Sequence, residues 1–527
     1  MKRKKTSIIG VSVSIVLLAL TVALVAPPFE EQLLSIGGGR RLFLDDRLLD
    51  LSRCRDITRV QNPPQDIRRV FIPDRPWESL GFIFYANVLE DETEIKLYYT
   101  CYEWKDQTYV RHLCLATSTD GIHFERARLG EKTVNGTNLE VNILSPNAVE
   151  CSIFLDPHAS IENRYRMVFT DGGGIDCPSD GGLYTATSAD GIRWKKNPTR
   201  LLPFIPDSQH AAFWDDHLRK YVVYLRAWAP KRSVCRIAVD DIDKPWAYDT
   251  SVPPFFIWGK DKTPTLSHEL PVVLAPDEQD PANLDLYTSV AAPYPFAEEA
   301  YLAFPAAYFK LTDPTWKHLS LGGSDGLFEV QLATSPDGIT WNRWRPPYVA
   351  TGYHDGLDLR LVNMAQGMVR RGRWLYQYFV GWPHTHGQMG VWRNNPTEGD
   401  AWTKKDKGGL YLAKQRLDGF VSMDSAYSGG TLTTRPLLFT GNQLILNLNT
   451  HGTGNAKVTL MDKEGTPISG FTSNECEIIQ TDDTDHLVRW IGGADIGTLA
   501  GRLIRVQVQM RNTKLYALQF TQAPLKD

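Results

Sequence analysis

The sequence predicts an all-β fold: a five-bladed β-propeller over residues 40–425 followed by a C-terminal β-sandwich over 429–527. Three observations carry this. A nonapeptide recurs as ATSTDGIHF at 116, ATSADGIRW at 186 and ATSPDGITW at 333. Strand-like runs such as GFIFYANVL, IKLYYTCYEW, RYRMVFTD, KYVVYLRAW and RWLYQYFVGW dominate, and no helical periodicity of any length is found between 40 and 527. From Gly429 onward, evenly spaced strands continue without the recurring hairpin, which suits a sandwich of about a hundred residues.

The nonapeptide reads as a strand, a tight turn and a returning strand. Thr and Ser suit an extended, half-buried edge, Asp-Gly supplies a turn with Gly at positive φ, and the aromatic three residues after Gly anchors the return. The three copies lie 70 and 147 residues apart, so a worn copy is expected between the second and third. IAVDDIDKPW at 237–246 keeps the Asp and the Trp, and LAKQRLDGFVS at 412–422 keeps Asp418, Gly419 and an aromatic. Five copies at roughly this spacing are too long for a helical solenoid and match four-stranded blades. The segment 41–62 is not a blade strand by pattern; it is expected to lie against the propeller or to close the ring.

At 527 residues the chain exceeds one ordinary core, as a propeller plus a smaller domain requires. With 57 Lys+Arg against 61 Asp+Glu it has no polybasic surface for nucleic acid or an anionic membrane. The N-terminus places a basic cluster before an uncharged, mostly apolar run from Ile8 to Ala26. This reads as a signal peptide over 1–28, with a retained membrane anchor equally open because 19 residues just cross a bilayer core. The expected location is extracytoplasmic, with membrane contact only through that segment. Seven cysteines without a C-x-x-C spacing give no zinc motif. A hairpin turning between Gln107 and Thr108 would set Cys101 opposite Cys114, as a disulfide or as two packed thiols. GGGIDCPSDGG at 172–182 precedes no helix and no Gly-Lys-Ser/Thr, so it is a loop and not a phosphate cradle.

An acid recurs ahead of each candidate inner strand: Glu78, Glu150, Asp207, Asp285 and Asp358, spaced by 72, 57, 78 and 73 residues. Inner strands line a propeller channel, so acids at one phase converge at one mouth. Convergent carboxylates suit glycoside hydrolysis, one protonated to donate to the leaving oxygen and another ionised to act on water or the anomeric carbon. His210 and Arg226 lie near Asp207 in sequence. His384 and His386 follow a blade-five strand, and the pair lacks a recurring third ligand, so no metal is assigned.

LFLDD, the repeated ATSxDGIxW, DPHASIENRYRMVF and the closing GTLTTRPLLFTGNQLILN…LYALQF resemble exported bacterial proteins described as glycoside hydrolase family 32-like. The resemblance covers nearly the whole chain after the N-terminal segment. It implies a five-bladed propeller, a C-terminal β-sandwich and acids near the channel mouth. The chain has no Trp-Met-Asn-Asp-Pro-Asn-Gly in blade one, so fructose specificity is not implied. The resulting expectation is a cofactor-independent glycosidase acting on a polysaccharide or oligosaccharide. Glu150 is the general acid and Asp207 or Asp285 the base or nucleophile; Glu78, His210, Arg226, Asp358 and His384 bind substrate. A non-catalytic carbohydrate-binding propeller is the alternative, and a protein-interaction propeller would not need the acids.

Overall fold

The computed structural model describes residues 34–81, 83–105, 108–134, 137–145, 148–171, 182–202, 205–228, 231–246, 270–311, 325–388 and 407–522. The N-terminal segment 1–28, Cys177 and nearly all of the 172–182 loop lie outside them. Among the described residues the protein is nearly all β, and no helix is long and apolar enough to cross a membrane.

Five four-stranded antiparallel meanders follow one another. The first contains Ile83–Asp91, Glu94–Lys105, Thr108–Ser118 and Glu125–Arg126, and the second Val149–Leu155, Tyr165–Asp171, Gly182–Ser188 and Lys195–Lys196. The third contains Ala211–Asp215, Lys220–Trp228, Arg232–Val239 and Val272–Leu274, and the fourth Leu284–Leu286, Ala306–Lys310, Gly326–Ser335 and Asn342–Val349. The fifth is completed from the other end of the chain: Leu361–Arg371, Trp374–Trp382 and Gly409–Arg416 receive Gln65–Phe71 as their fourth strand. The last meander is thus tied to the chain just ahead of the first. The strand that completes the fifth meander comes from 65–71 and not from 41–62.

The recurring hairpin explains how neighbouring meanders are held together. In each full copy the Ser hydroxyl (Ser118, Ser188, Ser335) accepts the Gly N–H, and the Asp carboxylate accepts two N–H groups beyond the Gly. The Gly residues adopt φ of 79°, 74° and 69°, the left-handed region that favours glycine. Each turn then docks on a tyrosine of another meander, the first on the fifth, the second on the first and the fourth on the third. Tyr378 donates to the Gly121 carbonyl at 2.8 Å, Tyr98 to Gly191 at 3.1 Å and Tyr224 to Gly338 at 2.5 Å. The aromatic after each Gly packs edge-on against the same tyrosine: Phe124 on Tyr378, Trp194 on Tyr98, Trp341 on Tyr224. The worn copies keep the docking by other chemistry. Asp243 pairs with Arg166 and Thr185 of the second meander, and Asp418 accepts from Tyr294 at 2.9 Å. At Gly191 a Cβ would come 2.2 Å from the Tyr98 hydroxyl and 3.0 Å from the Tyr165 ring. Gly191→Val therefore combines backbone strain of about 1–3 kcal/mol with a displaced neighbour. Its melting temperature is expected to fall by several degrees, and unchanged melting would show that the turn does not need glycine.

Beneath the site described below, the first strands are stitched by buried amides and hydroxyls. Asn87 donates to the Cys151 carbonyl and accepts from the Ile153 N–H, Ser152 donates to Gln366 at 2.7 Å and accepts from the Ala212 N–H, and Gln209 donates to the Ala86 carbonyl. Buried polar groups satisfied in this way fix the relative positions of the strands that carry the functional side chains.

Two further sheets share one apolar core that includes Leu432, Leu446, Val458, Trp490, Val508 and Phe520. They draw in strands from outside 429–527. Leu34–Ile36 runs parallel to Leu437–Phe439, Arg41–Leu42 pairs with Thr513–Thr521, and Ile57–Gln61 pairs with Val421–Ser425, itself a partner of Thr513–Thr521. The segment 41–62 is therefore part of the C-terminal sheets. A chain ending at Met423 would leave Leu34–Ile36 and Arg41–Leu42 without partners and strip Ile57–Gln61 of part of its own, and it is expected to yield no soluble, cooperatively melting protein. Soluble and fully active material would refute a supporting role for the C-terminal sheets.

Cys101 and Cys114 are free thiols whose sulfurs touch at 3.4 Å. The hairpin turns one residue earlier than expected, pairing Lys105 with Thr108, so Cys101 faces His112 and Cys114 faces Tyr99.

Candidate functional site

The first strands of meanders one and two, and the segment just ahead of the first strand of meander three, each carry a non-glycine residue in the left-handed region: Tyr85 (φ 50°), Glu150 (φ 57°) and Asp207 (φ 49°). Around Tyr85 and Glu150 the ladder also shifts register, between Phe84 and Asn87 and between Val149 and Ser152. Bulky residues held at positive φ cost about 1–3 kcal/mol each and cluster where side-chain direction matters more than local stability. Here the two bulges and the kink at Asp207 bring Tyr85, Glu150 and Asp207 close enough to act on one another's charge.

Glu150 is buried, and its carboxyl pKa is raised to about 7, first by burial and then by the charge of Asp207. Its Oε1 lies 3.9 Å from Arg111 Nη1, and it accepts a hydrogen bond from Thr170. Thr170 Oγ1 is in turn 3.0 Å from His210 Nε2. A Thr170 hydroxyl that donates to Glu150 accepts from His210, which assigns the Nε2–H tautomer to the histidine. Burial, reinforced by Arg226, lowers the His210 pKa to about 3, so this imidazole is neutral. The His210 backbone N–H also meets the Glu150 carbonyl at 3.4 Å, coupling the second and third meanders at this point.

Asp207, with its side chain 25% exposed, pairs at 2.7 Å with Arg226, whose side chain is fully buried. Arg226 lies 4.0 Å over the ring of Tyr287 and donates to the Tyr287 carbonyl. Arg232 approaches the same ring at 5.1 Å, and the Tyr287 hydroxyl meets His386 Nε2 at 3.2 Å. The Tyr85 hydroxyl is held far above its usual pKa, by burial and then by Tyr287 and Glu150. It is a neutral phenol beside the acid pair.

The structure therefore brings together Glu150, Asp207, His210 and Arg226. His210 lies fully buried beneath Glu150, and Arg226 beneath Asp207, so both orient the acids and neither offers a surface to substrate. The other expected site residues are placed differently. Glu78 is completely buried in the cluster of Phe71, Trp77 and Tyr99, held by Arg126, the Tyr99 hydroxyl and the N–H groups of Asp74 and Arg75; it caps a short 3-10 turn and cannot reach a ligand. Asp285 is fully buried between Arg232 and Lys310, at 2.8 and 2.9 Å. It reaches the site only through Arg232, which makes it a structural counter-ion and not a base. The half-exposed Asp358 pairs with Arg360 on a separate two-stranded hairpin. His384 packs edge-on to Trp382, and it is His386, two residues on, that meets Tyr287.

A search confined to acids misses Tyr85 and Tyr287. Tyr85 holds in the first meander the position that Glu150 holds in the second, and Tyr287 follows Asp285 by two residues, on the same chain segment. No group of three or more His, Cys, Asp or Glu among the described residues is arranged to hold a metal ion.

Among the described residues, buried polar atoms without a hydrogen-bond partner include Glu150 Oε2, His210 Nδ1, Arg226 Nε and Asp285 Oδ1. Comparable atoms occur elsewhere in the protein, but at Glu150 the unpartnered Oε2 belongs to the carboxyl with the raised pKa, which leaves it open to a hydrogen bond from a ligand.

No family model matches the chain, and no curated protein matches it. Solved structures similar to it include a glycosyl hydrolase from Bacteroides ovatus (15% identity, TM-score 0.40, covering 68% of this chain and 94% of that one). A putative glycosidase from Bacteroides thetaiotaomicron is similar at 15% identity and TM-score 0.39, covering 67% and 96%. A third belongs to work on the GH130 family of mannoside phosphorylases, said to contain hydrolases of β-1,2 mannosidic linkages in Candida mannan (15% identity, TM-score 0.39, covering 68% and 94%).

Proposed function

We propose that the five meanders are the blades of a β-propeller, that the C-terminal sheets form a sandwich beside it, and that the chain is an exported glycoside hydrolase acting at one mouth of the ring. The observation that supports this most directly is the contrast within one acid pair. Glu150 keeps its proton to about pH 7, while Asp207, close enough to help raise that value, is ion-paired with Arg226. A carboxyl held protonated beside one that is ion-paired with an arginine provides the acid and the base or nucleophile of glycoside hydrolysis. Glu150 donates its proton to the leaving glycosidic oxygen. Asp207 acts on water or on the anomeric carbon. Thr170 and His210 hold the Glu150 carboxyl, Arg226 and Tyr287 hold Asp207, and the neutral Tyr85 hydroxyl hydrogen-bonds the sugar.

Incubation with a panel of plant and algal polysaccharides and their oligosaccharides tests the reading through the release of new reducing ends. Release by the wild type and its loss in Glu150→Gln support hydrolysis. Binding without release would instead make the protein a carbohydrate-binding propeller.

A further inference from the structure

The outer face of one C-terminal sheet carries a second constellation that the acid site does not use. Strands Gly430–Thr433, Leu503–Arg511 and Asn455–Asp462 pair so that Thr431 faces Gln509 and Gln509 faces Lys457. An isolated bridge sets Arg55 opposite Thr431. Their sequence neighbours Leu432, Val508 and Val458 fill the core, so the alternate side chains form a row on the outer face, ordered Arg55, Thr431, Gln509, Lys457. With strands about 4.8 Å apart the row spans roughly 14 Å. Gly429 and Gly430 contribute no side chains beside it, and the row borders a concavity of about 390 Å³ that also includes Asn455 and Arg511.

Charge here departs from the rest of the chain, which carries a net −4. Among the described residues no carboxylate pairs with Arg55, Lys457 or Arg511: Arg55 donates to the Ser52 and Cys54 carbonyls and Arg511 to the Thr453 carbonyl. Asp56 is the one acid lining the concavity. Tyr427, next in sequence to Ser428 of the lining and 62% exposed, has the lining residue Arg511 over its ring at 5.2 Å.

We infer that this face binds an anionic saccharide, a chain of sugars bearing carboxylate or sulfate groups. The amide of Gln509 and the hydroxyl of Thr431 match sugar hydroxyls, the exposed ring of Tyr427 matches the apolar face of a pyranose, and the cations at both ends of the row match acidic substituents. A protein partner is a poorer match, because the face lacks the buried apolar centre on which such interfaces rest. The site is independent of hydrolysis at Glu150 and Asp207. If both exist, the sheet holds a charged polymer that the acid pair cuts.

Affinity electrophoresis of the purified full-length chain tests this, in gels containing polygalacturonate, dextran sulfate or neutral dextran. The wild type is expected to be retarded in at least one anionic gel and not by dextran, and the responsive gel distinguishes carboxylate from sulfate. Affinity should fall about tenfold in Lys457→Glu and measurably in Gln509→Ala, a neutral change that general charge attraction would not register. Lys195→Glu, an exposed substitution on the second meander, should keep wild-type retardation, with melting curves checking the fold of each variant. Absence of retardation in both anionic gels, retention of full affinity by Lys457→Glu, or equal loss in Lys195→Glu would each overturn the inference.

Discussion

Replacing Asp207 with Asn is expected to lower turnover by about 10²- to 10⁴-fold and to lower the melting temperature as well. Asn keeps the outline of the side chain but can neither accept a proton nor form a glycosyl ester, and removing a general base or nucleophile typically costs that much. The stability effect runs against the expectation from clustered acids alone, in which losing one negative charge relieves repulsion. The reason is Arg226. Its side chain is fully buried and its Nη1 lies 2.7 Å from the Asp207 carboxylate, so the Asn variant strands a cation inside the protein. Breaking a buried pair costs about 3–5 kcal/mol, and the partial exposure of Asp207 reduces this to about 2 kcal/mol. Turnover on the responsive glycan and a thermal melt measure the two effects separately. Full turnover with reduced stability would leave Asp207 as a partner for Arg226 and nothing more.

The parts of the fold legible in the sequence were those where local chemistry and tertiary contact coincide. Ser118, Ser188 and Ser335 with their Asp-Gly partners fix a turn by hydrogen bonds inside four or five residues, and the same turn happens to be the docking element between meanders. Its aromatic follows for the same reason. Long-range pairing leaves no such mark. Nothing local distinguishes Gln65–Phe71, which completes the fifth meander, from Ile57–Gln61, which joins a C-terminal sheet. The acids show the same limit. Glu150 and Asp207 do converge, and each is itself in the left-handed region, Glu150 within the first strand of its meander and Asp207 four residues ahead of the next. Glu78 shares their spacing but sits in a 3-10 turn whose capping consumes its carboxylate. Asp285 shares it too, yet two cations from neighbouring strands neutralise it. Spacing reports where a residue falls along the chain; burial and counter-ions decide whether it is available, and neither can be read from one sequence.

Glu150→Gln is expected to abolish release of reducing ends, again by about 10²- to 10⁴-fold, while making the protein more stable at alkaline pH. The sign follows from the raised pKa. In the unfolded chain the carboxyl titrates near 4.5, and in the folded protein near 7, because burial and then the Asp207 charge disfavour the anion. Below about pH 4.5 both states hold the proton and the group does not affect the folding equilibrium. Between 4.5 and 7 the unfolded chain releases a proton that the folded protein retains, so stability falls as pH rises; above about 7 the penalty is fully present, on the order of 3 kcal/mol. Gln carries no charge at any pH and escapes it. Wild type and variant should therefore melt together near pH 4 and diverge by pH 8, the variant higher, in contrast to Asp207→Asn, which melts lower. Wild-type turnover should decline as pH rises through about 7, where the acid loses its proton, whereas any residual turnover of the variant should lack that limb. Parallel melting curves across this range would mean that Glu150 titrates normally, and a carboxyl already ionised at neutral pH could not serve as the proton donor.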